Sequence, residues 1–382
     1  MSRGLGDVYK RQVYNTLAYE FDNAAVMAEA FTDKIKAPDY SRVENPTVTN
    51  LERRVAALTD AAHATAFNSG MAAISNTLMA LAAQGKNIVT SKHLFGNTYA
   101  LLVATLRRFG VKVRLRDLTN IEAVREAIDD DTCCVFLEIL TNPQLEVADL
   151  KAISEVAHEK NVPLVVDSTV IPFTQFSAKS LGVDIEVVSS SKYVSGGATS
   201  LGGLVIDYGT PYNGDFAKRL YGEMLFNFGA YMTPQVAYMQ TIGLETLDAR
   251  YRVQSSNALE LAKKLRSLPQ IKLVNYVGLE DNPYHELAQR QFGKTAGAMI
   301  CIDLESKEAC FSFLNNLKLI HRATNLFDNR SLAIHPASTI FGAFSESMRK
   351  SMDVKDTTIR LSVGLEDVDD LFEDIKQAVD SL

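Results

Sequence analysis

The feature that most constrains the fold of this chain is a regular alternation of strand-like and helix-like segments between residues 50 and 207. Most of the strand-like segments are continuous apolar runs, such as LVV in PLVVDST and CCVFL in CCVFLEIL, and they are separated by runs with helical spacing. Unbroken apolar strands are typical of a sheet covered on both faces, and strands that alternate with helices favour parallel pairing. We therefore predict an α/β fold built on a large parallel or mixed sheet of the seven-stranded type.

The pattern of the chain changes near residue 240, and 382 residues are more than one core usually needs. We predict an N-terminal arm (1–45), a large domain (46–240) and a smaller C-terminal α+β domain (241–382). Residues 233–265 predict one long helix, and the chain ends in an amphipathic helix. The first dozen residues, MSRGLGDVYKRQ, show no periodicity, so we interpret residues 1–12 as a non-native start that shortens the native arm.

Composition excludes several classes of function. A net charge of −7, with acidic residues dispersed along the chain, gives no electrostatic reason to expect nucleic acid or an anionic membrane as partner. No apolar run reaches the ~20 residues of a membrane span. The four cysteines show neither CxxC pairing nor metal-site spacing, and we expect core thiols in a reducing, cytoplasmic environment.

Polar residues follow several strands of the predicted sheet, and in such sheets ligands bind at the carboxyl ends of the strands. These are the Asn68–Gly70 turn before a helix, Asn142 before Pro143, Asp167 and Lys192. Each alone has an ordinary structural explanation: a capped turn, an Asn-Pro turn, a turn-forming acid and a lysine that reaches solvent from a strand end. GxGxxG, GxxxxGK[ST], HExxH and GxSxG are all missing, which argues against a nicotinamide-dependent oxidoreductase, zinc proteases and serine hydrolases.

Taken together, these residues suit pyridoxal 5′-phosphate. Partial burial lowers the pKa of a lysine, so that its amine can bind the cofactor covalently. A carboxylate keeps the pyridine nitrogen protonated, and hydroxyl and backbone N–H groups hold a phosphate at a helix N-terminus.

Longer motifs reinforce this interpretation. YSRVENPT (40–47), SGMAA, NPQLEVAD, SSSK and IRLSVGLED resemble motifs of the cysteine and methionine metabolism family of pyridoxal-phosphate enzymes, which have the aspartate aminotransferase fold (fold type I). The resemblance runs from about Val13 to the C-terminus. It implies that Tyr40 and Arg42 reach the cofactor phosphate of a neighbouring subunit, in a homotetramer that is a dimer of dimers.

The resemblance also implies roles within one chain. Lys192 would be the catalytic lysine that binds the cofactor, and Asp167 would pair with the pyridine nitrogen. The other cofactor contacts would be Ser69, Gly70, Met71, Phe95, Asn142, Ser189 and Ser191. The substrate carboxylate would bind Arg360, with Ser331 and Asn142 nearby, and no residue is expected to bind a metal.

The chain departs from the family pattern around the predicted site. Phe95 stands where a tyrosine is usual, so its ring can stack on the cofactor but cannot carry a proton. Val188 and Gly197 stand where histidines are usual, and Ile340–Phe341 replaces a threonine–histidine pair. We therefore expect a site poor in titrating groups, in which Lys192 carries more of the proton transfer.

Arg330 before Ser331, together with the helix FGAYMTPQVAYMQTIGLETL, resembles the sulfhydrylases of the family. The leading hypothesis is therefore replacement of the acyl group of O-acetyl- or O-succinylhomoserine by sulfide or a thiol, giving homocysteine or methionine. The alternatives are a carbon–sulfur lyase (methionine γ-lyase or cystathionine γ- or β-lyase) or cystathionine γ-synthase. From another class, a cofactor-binding protein without turnover would also explain the lost tyrosine and histidines.

Overall fold

A computed structural model describes residues 12–32 and 34–382. The predicted non-native start lies outside the described residues except for residue 12. The helices are α1 Ala24–Phe31, α2 Pro46–Thr59, α3 Gly70–Leu81, α4 Gly96–Ala100, α5 Ile121–Ala127, α6 Leu150–His158, α7 Phe216–Arg219, α8 Phe226–Phe228, α9 Pro234–Glu245, α10 Leu247–Leu265, α11 His285–Phe292, α12 Lys307–Asn316, α13 Glu346–Ser351 and α14 Val368–Val379.

The large sheet contains β1 His63–Phe67, β2 Asn87–Ser91, β3 Lys112–Arg116, β4 Thr132–Glu138, β5 Leu164–Asp167, β6 Ile185–Val188 and β7 Gly203–Asp207, in the order β1-β7-β6-β5-β4-β2-β3. The five strands from β6 to β3 in this order are parallel, and β7 is antiparallel to both of its neighbours. A parallel return needs a crossover, usually a helix, whereas residues 189–202 join β6 to β7 without an α-helix. The predicted α/β fold with a mixed seven-stranded sheet is confirmed.

Helices connect the parallel strands, and side chains cap several of them. Ser69 accepts a hydrogen bond from the Ala72 N–H at the start of α3, and Asp149 does the same for Ala152 at the start of α6. The helical stretch that begins with α4 ends at Gly110, whose φ of 81° is left-handed, as the sequence predicts.

The helix predicted over residues 233–265 is two helices, α9 and α10, separated at Thr246. The Thr246 hydroxyl donates to the carbonyl of Gly243 and accepts from Arg250 Nε. Such local side-chain hydrogen bonds compete with continuous helix, and they end α9 although the apolar periodicity continues.

A second sheet contains β8 Leu273–Asn275, β9 Met299–Asp303, β10 His321–Arg322, β11 Leu332–Ile334 and β12 Thr358–Ser362, in the order β10-β11-β12-β9-β8. α14 packs against α10 and α12 through an apolar face that includes Leu371 and Ile375. The division of the chain near residue 240 stays a prediction. Within the described residues, no helix is both long enough and apolar enough to cross a membrane.

Candidate active site

A cavity of about 910 Å³ lies at the carboxyl ends of β4, β5 and β6 and extends to residues of the second sheet. Strand ends of this kind form the usual ligand crevice of α/β sheets. The cavity brings together most of the site residues predicted from the sequence: Ser69, Gly70, Met71, Phe95, Asn142, Asp167, Ser189, Ser191, Lys192 and Arg360.

One end of the cavity suits a phosphate. The N-terminus of α3 opens there with the backbone N–H groups of Gly70 and Met71, and a helix N-terminus favours anions. Gly70 approaches Ser189 so closely that a Cβ on residue 70 would lie 2.6 Å from the Ser189 Cβ. Only glycine allows this approach. The N-terminus of α3 and the Ser189 hydroxyl therefore lie next to each other at this end of the cavity.

Lys192 follows β6 after a turn that the neighbouring serine holds in place. The Ser191 hydroxyl donates to the Gly202 carbonyl (3.1 Å) and accepts from the Gly202 N–H (2.9 Å), which ties the turn to the segment before β7. Lys192 Nζ donates to Asn325 Oδ1 at 2.7 Å. Burial, with the nearby charge of Arg360, lowers the pKa of Lys192 to about 8. A substantial share of its amine is therefore neutral and nucleophilic at mildly alkaline pH.

Two carboxyl groups lie side by side at the ends of β4 and β5, because Glu138 is paired in register with Asp167. Asp167 Oδ1 accepts the Thr169 N–H at 2.9 Å, and Glu138 Oε1 accepts the Phe95 N–H at 2.5 Å. Burial raises the pKa of both carboxyls, and the charge of Asp167 raises the pKa of Glu138 further. The pair therefore favours a single negative charge.

Arg360 enters the cavity from β12 and is only 2% exposed. Its Nη1 donates to Asn142 Oδ1 and its Nη2 to the Asn325 carbonyl, both at 3.2 Å, while its Nε has no hydrogen-bond partner among the described residues. Burial lowers the pKa of Arg360 to about 10, so it remains charged at neutral pH. A buried cation without a carboxylate partner is suited to bind one from a ligand.

Three predicted residues lie outside this cavity. The guanidinium carbon of Arg42 lies 5.4 Å from the centroid of the Tyr40 ring, and Arg42 Nη1 donates to the Phe226 carbonyl. The Ser331 hydroxyl is turned away, because it donates to a Glu366 carboxylate oxygen and accepts the Gly364 N–H, each at 2.8 Å. The structure therefore does not bring Ser331 to the predicted carboxylate site.

The cavity also contains residues that the sequence analysis did not single out, among them Glu138, Thr169 and Asn325. Glu138 ends a buried strand just as Asp167 does, so the strand-end rule could have identified it. Asn325 carries no comparable signal, because it follows the two-residue strand β10 in an irregular stretch.

The departures from the family pattern lie partly in the cavity, because Phe95 and Ile340 line it whereas Val188 and Gly197 do not. Its titratable lining residues in the described part of the chain are Glu138, Asp167, Lys192 and Arg360, with no tyrosine, histidine or cysteine. Ile340 contributes an apolar wall, whereas Phe341 is buried in a separate apolar cluster. No group of three or more potential metal ligands occurs within residues 12–32 and 34–382.

The residues fit pyridoxal phosphate, because the Gly70 cradle, the strand-end carboxyl and the buried lysine share one cavity. Comparison with known families agrees with this fit. The model of the Cys/Met metabolism PLP-dependent enzymes matches residues 6–380, and the chain belongs to this family of pyridoxal-phosphate-dependent enzymes.

Several known proteins resemble the chain over most of its length. L-methionine gamma-lyase from Fusobacterium nucleatum subsp. polymorphum is 37% identical over 97% of this chain and 93% of its own. The solved structure of the O-acetylhomoserine sulfhydrylase of the Wolinella succinogenes methionine biosynthetic pathway is 44% identical, with a TM-score of 0.79, over 88% of this chain and 96% of its own. A Campylobacter jejuni structure assigned as an O-acetylhomoserine (thiol)-lyase, which holds N′-pyridoxyl-lysine-5′-monophosphate, is 34% identical, with a TM-score of 0.93, over 97% of this chain and 95% of its own.

Proposed function

We propose that the protein replaces the acyl group of an O-acylhomoserine with sulfide or a thiol, giving homocysteine or methionine. The observation that carries this proposal is the absence of tyrosine, histidine and cysteine from the lining that the described residues of one chain give the cavity. A carboxylic acid loses its proton near about pH 4, whereas a thiol does so near about 8.5. An acyl carboxylate can therefore leave without a proton, while a thiolate leaving group would need a proton from Lys192 or from the Glu138–Asp167 pair, the ionisable groups of this lining other than Arg360.

The cofactor-binding roles follow from the groups around the cavity. Ser69, Gly70, Met71, Ser189 and Ser191 would hold the phosphate through hydroxyl and backbone N–H groups. The remaining contacts would come from Asp167 at the pyridine nitrogen, Phe95 against the ring face and Asn142 at the ring oxygen. Pyridoxal phosphate, when bound, supplies an electron sink for the carbon atoms of the amino acid.

The other roles belong to two cationic side chains. Arg360 would bind the substrate carboxylate, and its buried guanidinium with an unpaired Nε supports this assignment. Lys192 Nζ, displaced by the substrate amine, would remove the α proton and return protons to the neighbouring carbon. Its pKa of about 8 suits both directions of proton transfer near neutral pH.

A carbon–sulfur lyase is the second candidate, and the 37% identity to L-methionine gamma-lyase favours it. Identity alone does not separate the two activities, because a sulfhydrylase structure is 44% identical. On the argument above, we expect elimination from methionine or cystathionine to be slower than acyl replacement, because Lys192 would have to protonate the thiolate in addition to its other proton transfers.

A substrate panel on the cofactor-loaded protein tests the proposal, with Lys192→Ala as the inactive control. We expect homocysteine from O-acetyl- or O-succinylhomoserine with sulfide, and little 2-oxobutyrate from methionine or cystathionine. Phe95→Tyr should raise elimination from methionine, because it adds a proton donor. Release of 2-oxobutyrate from methionine, with no homocysteine from either acyl substrate, would establish the lyase instead.

We also propose a homotetramer, a dimer of dimers in which each cavity is completed by Tyr40 and Arg42 of a neighbouring subunit. Support comes from the position of both residues outside the cavity of their own chain, and from Leu201, a lining residue that is 71% exposed. Mixed dimers of Lys192→Ala and Arg42→Ala chains test this idea. If sites are shared, random mixing restores about a quarter of the sites. Activity no higher than that of the separate variants would exclude sharing.

The remaining proposals concern location and partners. We propose a cytoplasmic enzyme, and the four free cysteines are consistent with a reducing compartment. Its partners would be an amino-acid substrate and sulfide or a thiol, with no nucleic acid or membrane. Fractionation of cells that produce the protein would test its location.

A further inference from the structure

Glu138 is a buried carboxyl at the active-site cavity to which the proposed reaction assigns no role. It is 6% exposed and ends β4 in register with Asp167 on β5, and both side chains line the cavity. Strand neighbours in register lie about 4.8 Å apart. Two negative charges at that distance in a poorly solvated site are unfavourable, so one of the two carboxyls holds a proton.

The hydrogen bonds around the pair indicate which carboxyl is ionised. Asp167 accepts the Thr169 N–H, which favours its carboxylate form. Glu138 accepts the Phe95 N–H, but burial and the charge of Asp167 act in the opposite direction and raise its pKa well above the usual value. Burial raises the pKa of Asp167 as well, but only Glu138 is raised further by the charge of its partner, which favours the proton on Glu138 and the charge on Asp167.

The backbone contact of Glu138 also holds the aromatic residue of the cavity. Phe95 is the N-cap residue of α4, with an extended backbone (φ −52°, ψ 134°), and its side chain provides no cap. Its N–H is bound by Glu138 Oε1 at 2.5 Å. The next residue, Gly96, packs closely against the Ile340 carbonyl oxygen: a Cβ on residue 96 would lie 2.7 Å from that oxygen. Glu138 therefore holds the backbone from which the Phe95 ring projects.

We propose that Glu138 is a positioning residue for the cofactor: a neutral carboxylic acid that fixes the Phe95 ring and leaves Asp167 as the only anion facing the pyridine nitrogen. This inference rests on the proposed location of the pyridine ring between Phe95 and Asp167. It does not depend on which amino acid the enzyme converts.

Three substitutions separate the functions of this side chain. Glu138→Gln keeps the shape, the neutral state and an acceptor oxygen. Glu138→Leu keeps approximate shape but removes the acceptor, so the Phe95 N–H loses its partner. Glu138→Asp keeps the carboxyl group but shortens the side chain, so that the carboxyl no longer reaches the Phe95 N–H. It tests the same contact if the leucine variant does not fold. Glu186→Leu is the matched control, because Glu186 is a fully buried carboxyl on β6 outside the cavity lining, bound by Ser168 and Tyr208.

The measurements are the affinity of each apoprotein for pyridoxal phosphate and the induced circular dichroism of the bound cofactor, which reports ring orientation. We expect the glutamine variant to stay within about threefold of wild-type affinity with the same dichroism, since its acceptor is retained. The leucine and aspartate variants should lose about tenfold or more and change the dichroism, because a buried N–H is left unpaired. The Glu186 control should lower thermal stability without changing the dichroism.

Two outcomes would overturn the proposal. A glutamine variant as impaired as the leucine variant would mean that Glu138 acts as an anion or proton donor. Leucine and aspartate variants with wild-type affinity and dichroism would mean that Glu138 positions nothing. Asp167→Asn tests the underlying site separately: unchanged affinity and absorbance in that variant would show that the ring lies elsewhere, whatever the Glu138 variants do.

Discussion

The amine of Lys192 is expected to titrate far below an ordinary lysine in the cofactor-free protein. Its pKa is lowered from 10.5 to about 8, first by burial and then by the charge of Arg360. At pH 8 about half of the Lys192 amine is then neutral, against about 0.3% for a lysine with the unshifted value. The reactive fraction is thus about 150-fold larger at this position.

Reductive methylation of the apoprotein with a small aldehyde, followed by peptide mass spectrometry, measures this difference. Labelling of Lys192 should rise with pH and level off above about pH 8. Lys350 is the matched control, because its hydrogen bond to Glu346 raises its pKa and keeps its amine protonated there. Arg360→Met should move the Lys192 midpoint upward by less than half of the total shift, because burial is the larger cause. A Lys192 profile that still rises at about pH 10, parallel to that of Lys350, would refute the reasoning.

Two further predictions concern Arg360 in the cavity and His93 outside its lining. Arg360→Lys should raise the KM for the amino-acid substrate about 10- to 100-fold, with a smaller effect on kcat, because lysine cannot form the bidentate contact. Steady-state kinetics would contradict this if kcat fell while KM stayed constant. Burial lowers the pKa of His93, but hydrogen bonds to Glu146 and Asp353 outweigh this effect and leave its pKa raised. The stabilisation by His93 is therefore complete below pH about 6.5 and is lost as pH rises through the folded-state pKa. The difference in unfolding midpoint between wild type and His93→Gln should accordingly shrink from acidic to alkaline pH, and a constant difference would contradict it.

The sequence predicts the large sheet well because its central strands carry their signal locally. β4, β5 and β6 are almost continuously buried. β4 and β5 are mostly apolar runs that end at a polar residue, and β6 is apolar apart from the buried Glu186. A search for polar residues at the ends of apolar strands finds Asp167. The same search, extended to the residues that follow a strand, finds Lys192. Applied consistently, it would also have led to Glu138.

Contacts between distant segments carry no such local signal. Lys192 meets Asn325, which lies 133 residues further along the chain, and Arg360 meets Asn142 across 218 residues. These contacts form only when the segments around the second sheet pack against the large sheet. Apolar periodicity carries no information about that packing. The sequence does not predict the break at Thr246 for a related reason, because side-chain hydrogen bonds end the helix without altering the apolar pattern.

The choice of leaving group and the pH dependence of the reaction have a common physical origin in this cavity. Of its titratable lining residues in the described chain, Arg360 stays charged at neutral pH, and the Glu138–Asp167 pair shares one negative charge in a site that disfavours a second. Lys192 is then the group that gains and loses a proton near neutrality. A lysine that removes the α proton and returns protons to the neighbouring carbon would also have to protonate a departing thiolate, because Phe95 of the same chain provides no second donor. A leaving group that needs no proton, as in an O-acylhomoserine, is compatible with this single titrating group, and the proposed acyl replacement should therefore follow one ionisation.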